Sequence, residues 1–501
     1  MAAAAFLLAS APQTAQAQSQ TIGSRIDAGR AFQANIDSVS APVIIQRGAS
    51  ADIYTLGSAQ TVINWSPQDT ANSDDLINIL PSGTALTFVG PNTGYTVLNR
   101  IIPTGTTASG DLRGIAFSGS VASLLGNPSG PVGGDVWFYS PGGIIAGGNA
   151  RFNVGSLLLT TNDIDTTGGL FGPSGEIRFR GDSSSGAVTI EPFLNVSPGT
   201  DQITVNDALG GETYVALVAP RVVQGGRVNA DGAVAYVAAE QADLTINNGL
   251  FDISIGVGTS DANGIVHTGS TIGPASTPTL NGDNQITDAD ARAIYMVAVP
   301  KNDAVTMLVG GTVGYLQAAS AMIDNGKIIL SAGGNVTASG SLAAPVNAIE
   351  ENATSTAATN VQIGGAGLTA FGSTLEMFAS NDITISSQSE TGRVVISNLV
   401  GTQDLNLTAG NQINLNTSAG GQILVNGDVN LTAGTGATGG DINLNIDRTG
   451  FGSQFNTGLA LSGDLNFDSR GIGADDFFTV LNNGGTGIGQ DATGGDVTIN
   501  I

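Results

Sequence analysis

Apolar and polar residues alternate with a period of two along much of this chain, in short runs bounded by Gly, Asn or Asp. The runs also repeat. DLNLTAG at 404–410 returns as DVNLTAG at 428–434, 24 positions later. NDITIS at 381–386, ADLTIN at 242–247 and NVTA at 335–338 carry the same alternation. YVALVAP at 214–220 and VAYVAAE at 234–240 begin 20 positions apart, and TGGDINLNI at 438–446 matches TGGDVTINI at 493–501. Period two puts alternate side chains on opposite faces of a strand. One such strand cannot bury its apolar row alone, but copies stacked about 20–24 residues apart bury Leu, Ile and Val in a continuous column. The pattern predicts an all-β chain, a right-handed parallel β-helix or solenoid. Roughly 20 rungs at about 4.8 Å each would make a rod about 100 Å long. The rival is a stacked antiparallel array, which wants hairpin turns of the Asn-Gly type. Asn248-Gly249 and Asn426-Gly427 supply two, but the repeat spacing favours the solenoid.

The densest strand-and-turn stretch is VWFYSPGGIIAGGNARFNVGSLLLTT at 136–161. An aromatic strand meets a Ser-Pro-Gly-Gly turn, then come Ile144 and Ile145, a Gly-Gly-Asn turn, and two more strands. Residues 18–165 are irregular and aromatic, as a less regular N-terminal capping region should be. From 166 to 300 the rungs read as longer, with loops at 181–186 and 258–286. From 301 to 501 the repeat is cleaner. The chain stops on a strand repeat with no capping segment, so further rungs are expected beyond residue 501.

Composition narrows the function. The chain has 501 residues, of which 72 are Gly, and only 11% are charged. Average globular chains carry about 7% Gly and about 25% charge. Apolar content of 41% is ordinary, so the missing charge does not mean disorder. Sixteen basic residues face 41 acidic ones, giving a net charge of −25. Nucleic acid and anionic membranes are therefore excluded as expected partners. There is no Cys, hence no disulfide and no thiolate metal site. Residues 1–17, MAAAAFLLASAPQTAQA, read as the apolar and cleavage parts of a signal peptide, without the basic residues that usually precede them. No later stretch is apolar for long enough to form a transmembrane helix.

The first 240 residues resemble the secretion domain of the filamentous haemagglutinin family, the exoproteins of two-partner secretion. The blocks that carry the resemblance are VINW at 62–65, ILP at 79–81, VLNR at 97–100, VWFYSPGGII at 136–145 with the strand pair behind it, and VALVAPRVVQGGRVNADGAVAYVAAE at 215–240. They come in the family's order and cover about half of the chain. The family's turn reads Asn-Pro-Asn-Gly where this chain has Ser140, Pro141, Gly142 and Gly143. Pro and the last Gly remain, so the turn can keep its shape, because Gly readily takes a positive φ. The resemblance implies an exported, cell-surface adhesin of a Gram-negative bacterium. Its partner would be an outer-membrane β-barrel transporter with periplasmic domains. Asn99, Arg100, Ser140, Pro141, Gly142 and Gly143 become the candidate residues for secretion recognition.

Two other readings stay open. β-Helices also carry polysaccharide lyases and hydrolases. The material for such chemistry here is His267, the one histidine, read as a turn or surface residue, and the acidic stretch NGDNQITDAD at 281–290. Asp283, Asp288 and Asp290, with Arg292 after them, are weak calcium candidates and equally a solvated loop. Paired carboxylates for glycoside hydrolysis would have to meet across rungs. Tyr95, Trp65 and Trp137 could stack on sugar, but aromatics capping the first rungs explain them better. The chain could also be the stalk of a larger exoprotein that carries an effector. No cofactor is expected, and catalysis is the minor reading.

Overall fold

A computed structural model of the protein describes residues 21–192 without a break. Between 202 and 310 it describes 202–205, 213–247, 250–272, 293–301 and 304–310. From 315 to 500 it describes the strands and part of the segments joining them. Residues 1–17, read from the sequence as a signal peptide, and the acidic stretch 281–290 lie outside the described residues.

The chain winds through three long sheets of 13, 14 and 13 strands. One turn runs through Asp135–Tyr139 on the first sheet, Ile144–Ala146 on the second and Arg151–Val154 on the third, before Ser156–Thr160 starts the next. Asp135 then pairs in parallel with Ser156, and Ile144 with Val188 on the following turn. This three-faced parallel β-helix is the architecture that the alternation predicts. The inward row is mostly apolar on every face. Phe138, Leu159, Leu217, Tyr236, Met296, Leu330, Met377, Leu407 and Leu431 follow one another down the first sheet within a single buried core.

The repeats pair as the sequence spacing anticipates in two places. Leu405 lies beside Val429, and Ile442 beside Val497. Elsewhere the spacing differs. Tyr214 pairs with Ala233, a step of 19 rather than 20. One residue matters, because it exchanges the two faces of a strand. The actual register stacks Leu217 on Tyr236 inside and Val218 on Val237 outside. The 20–24 period fails more broadly: Val234 pairs with Ile294 across a 60-residue turn. Long turns mean fewer of them. Among the described residues the first sheet has 13 strands, against the roughly 20 rungs expected, and spans about 60 Å at about 4.8 Å per rung.

The extra length has a use that the alternation alone does not reveal. Excursions between the first and second sheets build a six-stranded antiparallel side sheet from Asp163–Ile164, Ile177–Arg180, Gln241–Asn247, Leu250–Val257, Gly334–Val336 and Leu342–Pro345. ADLTIN, and Asn335 and Val336 of NVTA, fall in this sheet, so the alternation of ADLTIN marks a side-sheet strand and not a rung. Residues 248–249, the Asn-Gly pair, sit between two strands that pair antiparallel up to Asn247 and Leu250. The antiparallel rival was therefore right locally. The side sheet covers the outer face of the first sheet. Trp137, Leu158, Tyr214, Val218 and Val237 pack there against Ile177, Phe179, Leu244 and Phe251 in a second core. Strands buried on both faces read as unbroken apolar runs, which is why YVALVA and AVAYVA lack alternation.

At the N-terminal end, Ala34–Val39 and Val43–Gln46 pair antiparallel with Gln60–Pro67 and Ala51–Leu56. They close the first and third sheets. Phe32, Tyr54 and Trp65 fill the end of the core, with Trp65 edge-on to Phe32 at 4.9 Å and to Tyr54 at 5.2 Å. In the second sheet Val497–Asn500 is not the outermost strand. Phe478–Asn482 pairs beyond it and turns back as Gly485–Gly489, so a hairpin takes the edge.

Candidate recognition surface

The six candidate recognition residues sit on two neighbouring features. Asn99 and Arg100 lie on Thr96–Ile101, beside Phe138 and Tyr139 of the next rung. The Ser140–Gly143 turn follows directly. Alternation sends Asn99 inward and Arg100 outward. The Asn99 side chain is sealed in the core, where Oδ1 accepts from Trp65 Nε1 at 3.1 Å and Nδ2 donates to the Trp137 carbonyl at 3.2 Å. Its role is to tie three rungs together, and no partner can touch it while the rungs stay stacked.

The turn is also built into the stack. Gly143 N–H donates to the Ser140 carbonyl at 3.3 Å, and Gly143 has φ of 118°. The positive φ inferred from the retained glycine is present. A Cβ on Gly142 would stand 2.3 Å from the Arg113 carbonyl oxygen and 2.5 Å from that of Leu112. Gly186 of the next turn approaches Gly142 as closely from the other side, with its N–H on the Pro141 carbonyl. Backbone meets backbone on three successive corners, so glycine at 142 is a packing requirement of this chain. Ser140 is buried, and its hydroxyl finds no hydrogen-bond partner among the described residues. Pro141 and Gly142 are only half-buried, so their edge is what the turn presents outward.

Arg100 is different. Its guanidinium pairs with Asp163 at 2.9 Å and also donates to the Ile164 carbonyl. Burial, partly offset by Arg100, raises the Asp163 carboxyl above the ordinary carboxylate range. Burial also pushes the neighbouring Tyr139 hydroxyl up to about 12. Arg100 thereby caps the free edge of the side sheet, which stops short of the N-terminal rungs. A cleft of 450 Å³ remains where the cover ends, lined by Ser40, Gln60, Asn64, Arg100, Thr166 and Leu170. Asn64 pairs with Arg100 across the first sheet, so outward residues of VINW and VLNR share this cleft.

Sequence reasoning missed Arg113. It is fully buried at the second-sheet corner, with Nε on the Asp75 carbonyl, Nη1 on that of Ala71 and Nη2 on Asp69 at 3.1 Å. Burial alone would raise the Asp69 carboxyl; the Arg113 hydrogen bond and charge, with Arg25 further off, leave it below its usual value. An isolated Arg between Leu112 and Gly114 carries no local signal for this. Only the 44-residue separation of Arg113 and Asp69, closed by one rung, brings them together.

The remaining chemical candidates are placed as follows. His267 is neither turn nor surface: it ends the strand Ile265–His267 and is fully buried. Its Nε2 lies 2.8 Å from Thr271 Oγ1, which also meets the Tyr236 hydroxyl at 2.7 Å. Burial pulls its pKa down to about 4, so the ring is neutral near pH 7. Trp65, Trp137 and Tyr95 are buried and offer no ring face to a sugar. Trp137 is not an end cap, because its Nε1 donates to the Tyr214 hydroxyl at 2.7 Å beneath the side sheet. Among the described residues no group of three or more His, Cys, Asp or Glu could hold a metal, and no helix is long and apolar enough to cross a membrane. Asp283, Asp288, Asp290 and Arg292 lie outside the described residues.

Further along, the outer faces become polar ladders. Asn430 donates to Asn406 at 2.8 Å, and Asn466 to Asn430 at 2.9 Å on the first sheet. On the second sheet Asn443 donates to Asn414 at 3.0 Å and Asn445 to Asn416 at 2.9 Å. Spacings of 24, 36 and 29 residues give the same ladder, so register and not loop length sets it.

These features define a three-sheet parallel β-helix with a covered N-terminal half. No family model and no curated protein matches the chain. Among solved structures it is similar to the secretion domain of HMW1 from Haemophilus influenzae. That likeness has 13% identity and a TM-score of 0.47, over 87% of this chain and 100% of that one.

Proposed function

We propose that this chain is an exported cell-surface exoprotein of the two-partner type. In this reading its N-terminal rungs are the address read by an outer-membrane transporter, and its ladder-bearing rungs form an adhesive face. One observation carries the reading. Three of the stretches that resemble the haemagglutinin secretion domain, VINW, VLNR and VWFY, lie on consecutive strands, Gln60–Pro67, Thr96–Ile101 and Asp135–Tyr139, of one sheet. Their outward residues Asn64 and Arg100 meet in the cleft at the edge of the side sheet. Burial favours part of the candidate set over the rest. Asn99 and Ser140 are internal, so Arg100 and the outer edge of Pro141–Gly142 are the groups a transporter domain would touch. The C-terminal outer faces present amide ladders, which suit many weak hydrogen bonds to a polar surface better than one enclosed substrate. Binding, not catalysis, is the proposed activity.

The test is export from a Gram-negative host that co-expresses the transporter encoded beside this gene. Deleting residues 99–161 should leave the chain in the periplasm, whereas deleting residues 404–446 should leave export intact and reduce attachment of the secreted chain to surfaces. Unchanged export without 99–161 would sink the address. Unchanged attachment without the ladders would sink the adhesive face.

A further inference from the structure

We infer that the open edge of Val43–Gln46 is a self-association surface, on which two copies of this chain join head to head by antiparallel strand pairing. Among the described residues Val43–Gln46 is the outermost strand of the third sheet and pairs only with Ala51–Leu56. Solenoids usually blunt such an end with charge, proline or a covering segment. Here Ile44 is 67% exposed and Ile45 42%, and Val39 on the adjoining end strand is 41% exposed. These are three of the six large apolar side chains exposed among the described residues.

The backbone tells how the edge would pair. Gly57 N–H donates to the Pro42 carbonyl at 2.9 Å, one step beyond the Val43–Leu56 pair. Hydrogen-bonded pairs alternate along an antiparallel ladder, so Ile44 and Gln46 also bond inward. The N–H and C=O groups of Val43 and Ile45 therefore point off the free edge. That edge complements itself. A two-fold axis through Ile44 sets Val43 of one copy against Ile45 of the other, with both hydrogen bonds made. Ile44 then faces Ile44 as a close, non-hydrogen-bonded pair.

Charge favours a second copy as the occupant. The chain as a whole carries −25, which repels copies brought side by side. Residues 21–60 are balanced, with Arg25, Arg30 and Arg47 against Asp27, Asp37 and Asp52. The apolar edge thus sits in the part of an acidic molecule where two copies approach without net repulsion.

The absence of cysteine makes the test clean. The full chain is expected to show a concentration-dependent rise in light-scattering mass from 50.1 kDa towards twice that value. Ile44→Cys should give a disulfide-linked dimer under mild oxidation, because such a facing pair has Cα atoms about 4.5 Å apart. Ile102→Cys, exposed elsewhere, should cross-link several-fold more slowly. Ile45→Pro removes an outward N–H and should abolish the dimer with an unchanged melting curve, since proline is tolerated on a free edge. Ile44→Lys should do the same by charge, should the proline variant fail to fold. A wild-type chain that stays at 50.1 kDa at the highest soluble concentration overturns the proposal. So does a dimer that survives both substitutions. Protection of the Val43 and Ile45 amides only when a different protein is added also overturns it, in favour of that protein's strand.

Discussion

Arg113 and His267 show how much of this molecule rests on single buried polar groups. Removing Arg113 would leave Asp69 buried without its closest charged partner. Breaking a buried ion pair from one side typically costs about 3–5 kcal/mol. Arg113→Ala should therefore lower the melting temperature far more than Arg25→Ala, whose contact with Asp69 is a longer, more exposed 3.6 Å. Equal melting points would contradict that placement. His267 gives a pH dependence of known sign. Its folded pKa of about 4 lies below the ordinary histidine value of 6.5, so the unfolded chain takes up the proton first. Stability is whole above pH 6.5, falls as pH drops from 6.5 towards 4, and loses at most about 3 kcal/mol from this group. Urea melts of wild type and His267→Gln across that range check it: the wild-type slope should be steeper. Neither residue was legible beforehand. A lone His in GIVHTGS and a lone Arg in DLRGI give no periodic signal, and the contacts that define them are made across rungs.

At the level of strands and turns, the sequence was readable wherever one face is wet. The 404–410 and 428–434 repeats alternate cleanly, and the structure pairs them in the register that alternation requires. It was misleading wherever both faces are dry. In YVALVA and AVAYVA nothing marks inside from outside, so a match by residue type fell one position out of register. The side sheet escaped notice for a different reason. Its strands alternate like rungs, and only their antiparallel pairing distinguishes them. The Ser-Pro-Gly-Gly turn was half legible: the positive φ at Gly143 follows from glycine itself, whereas the crowding at Gly142 comes from a neighbouring rung. Gly142→Ala should be destabilising by about 1–3 kcal/mol, because the opposing atoms are backbone and cannot swing away. A melting curve matching wild type would show that the rungs part more easily than this packing allows. Asn430→Ala breaks contacts to both Asn406 and Asn466 and should cost about 1 kcal/mol per bond lost. Asn153→Ala, at an exposed position on Arg151–Val154 and away from these ladders, is the comparison for its thermal melt.

Across the whole molecule the two halves have different surfaces. The N-terminal half hides the outer face of its first sheet beneath the side sheet, and leaves a cleft where that cover stops at Arg100. The later rungs expose ladders of amides. Such a solenoid can fold rung by rung, each turn templating the next, which suits a chain that emerges through a narrow opening. Arg100→Glu is the sharpest probe of the proposed address. It reverses the charge in the cleft and sets a carboxylate beside Asp163, so export should fall while the purified chain keeps its β-sheet signal. The fold class was legible in the alternation; the proposed export rests on the order of five short blocks. Which face those blocks build was not legible, because that depends on the register of strands up to 58 residues apart. The most direct measurement is the ratio of chain in the culture medium to chain in the periplasm, with and without the neighbouring transporter. A transporter-dependent ratio, lost in Arg100→Glu, is the predicted result. Equal release in all three strains would contradict the account.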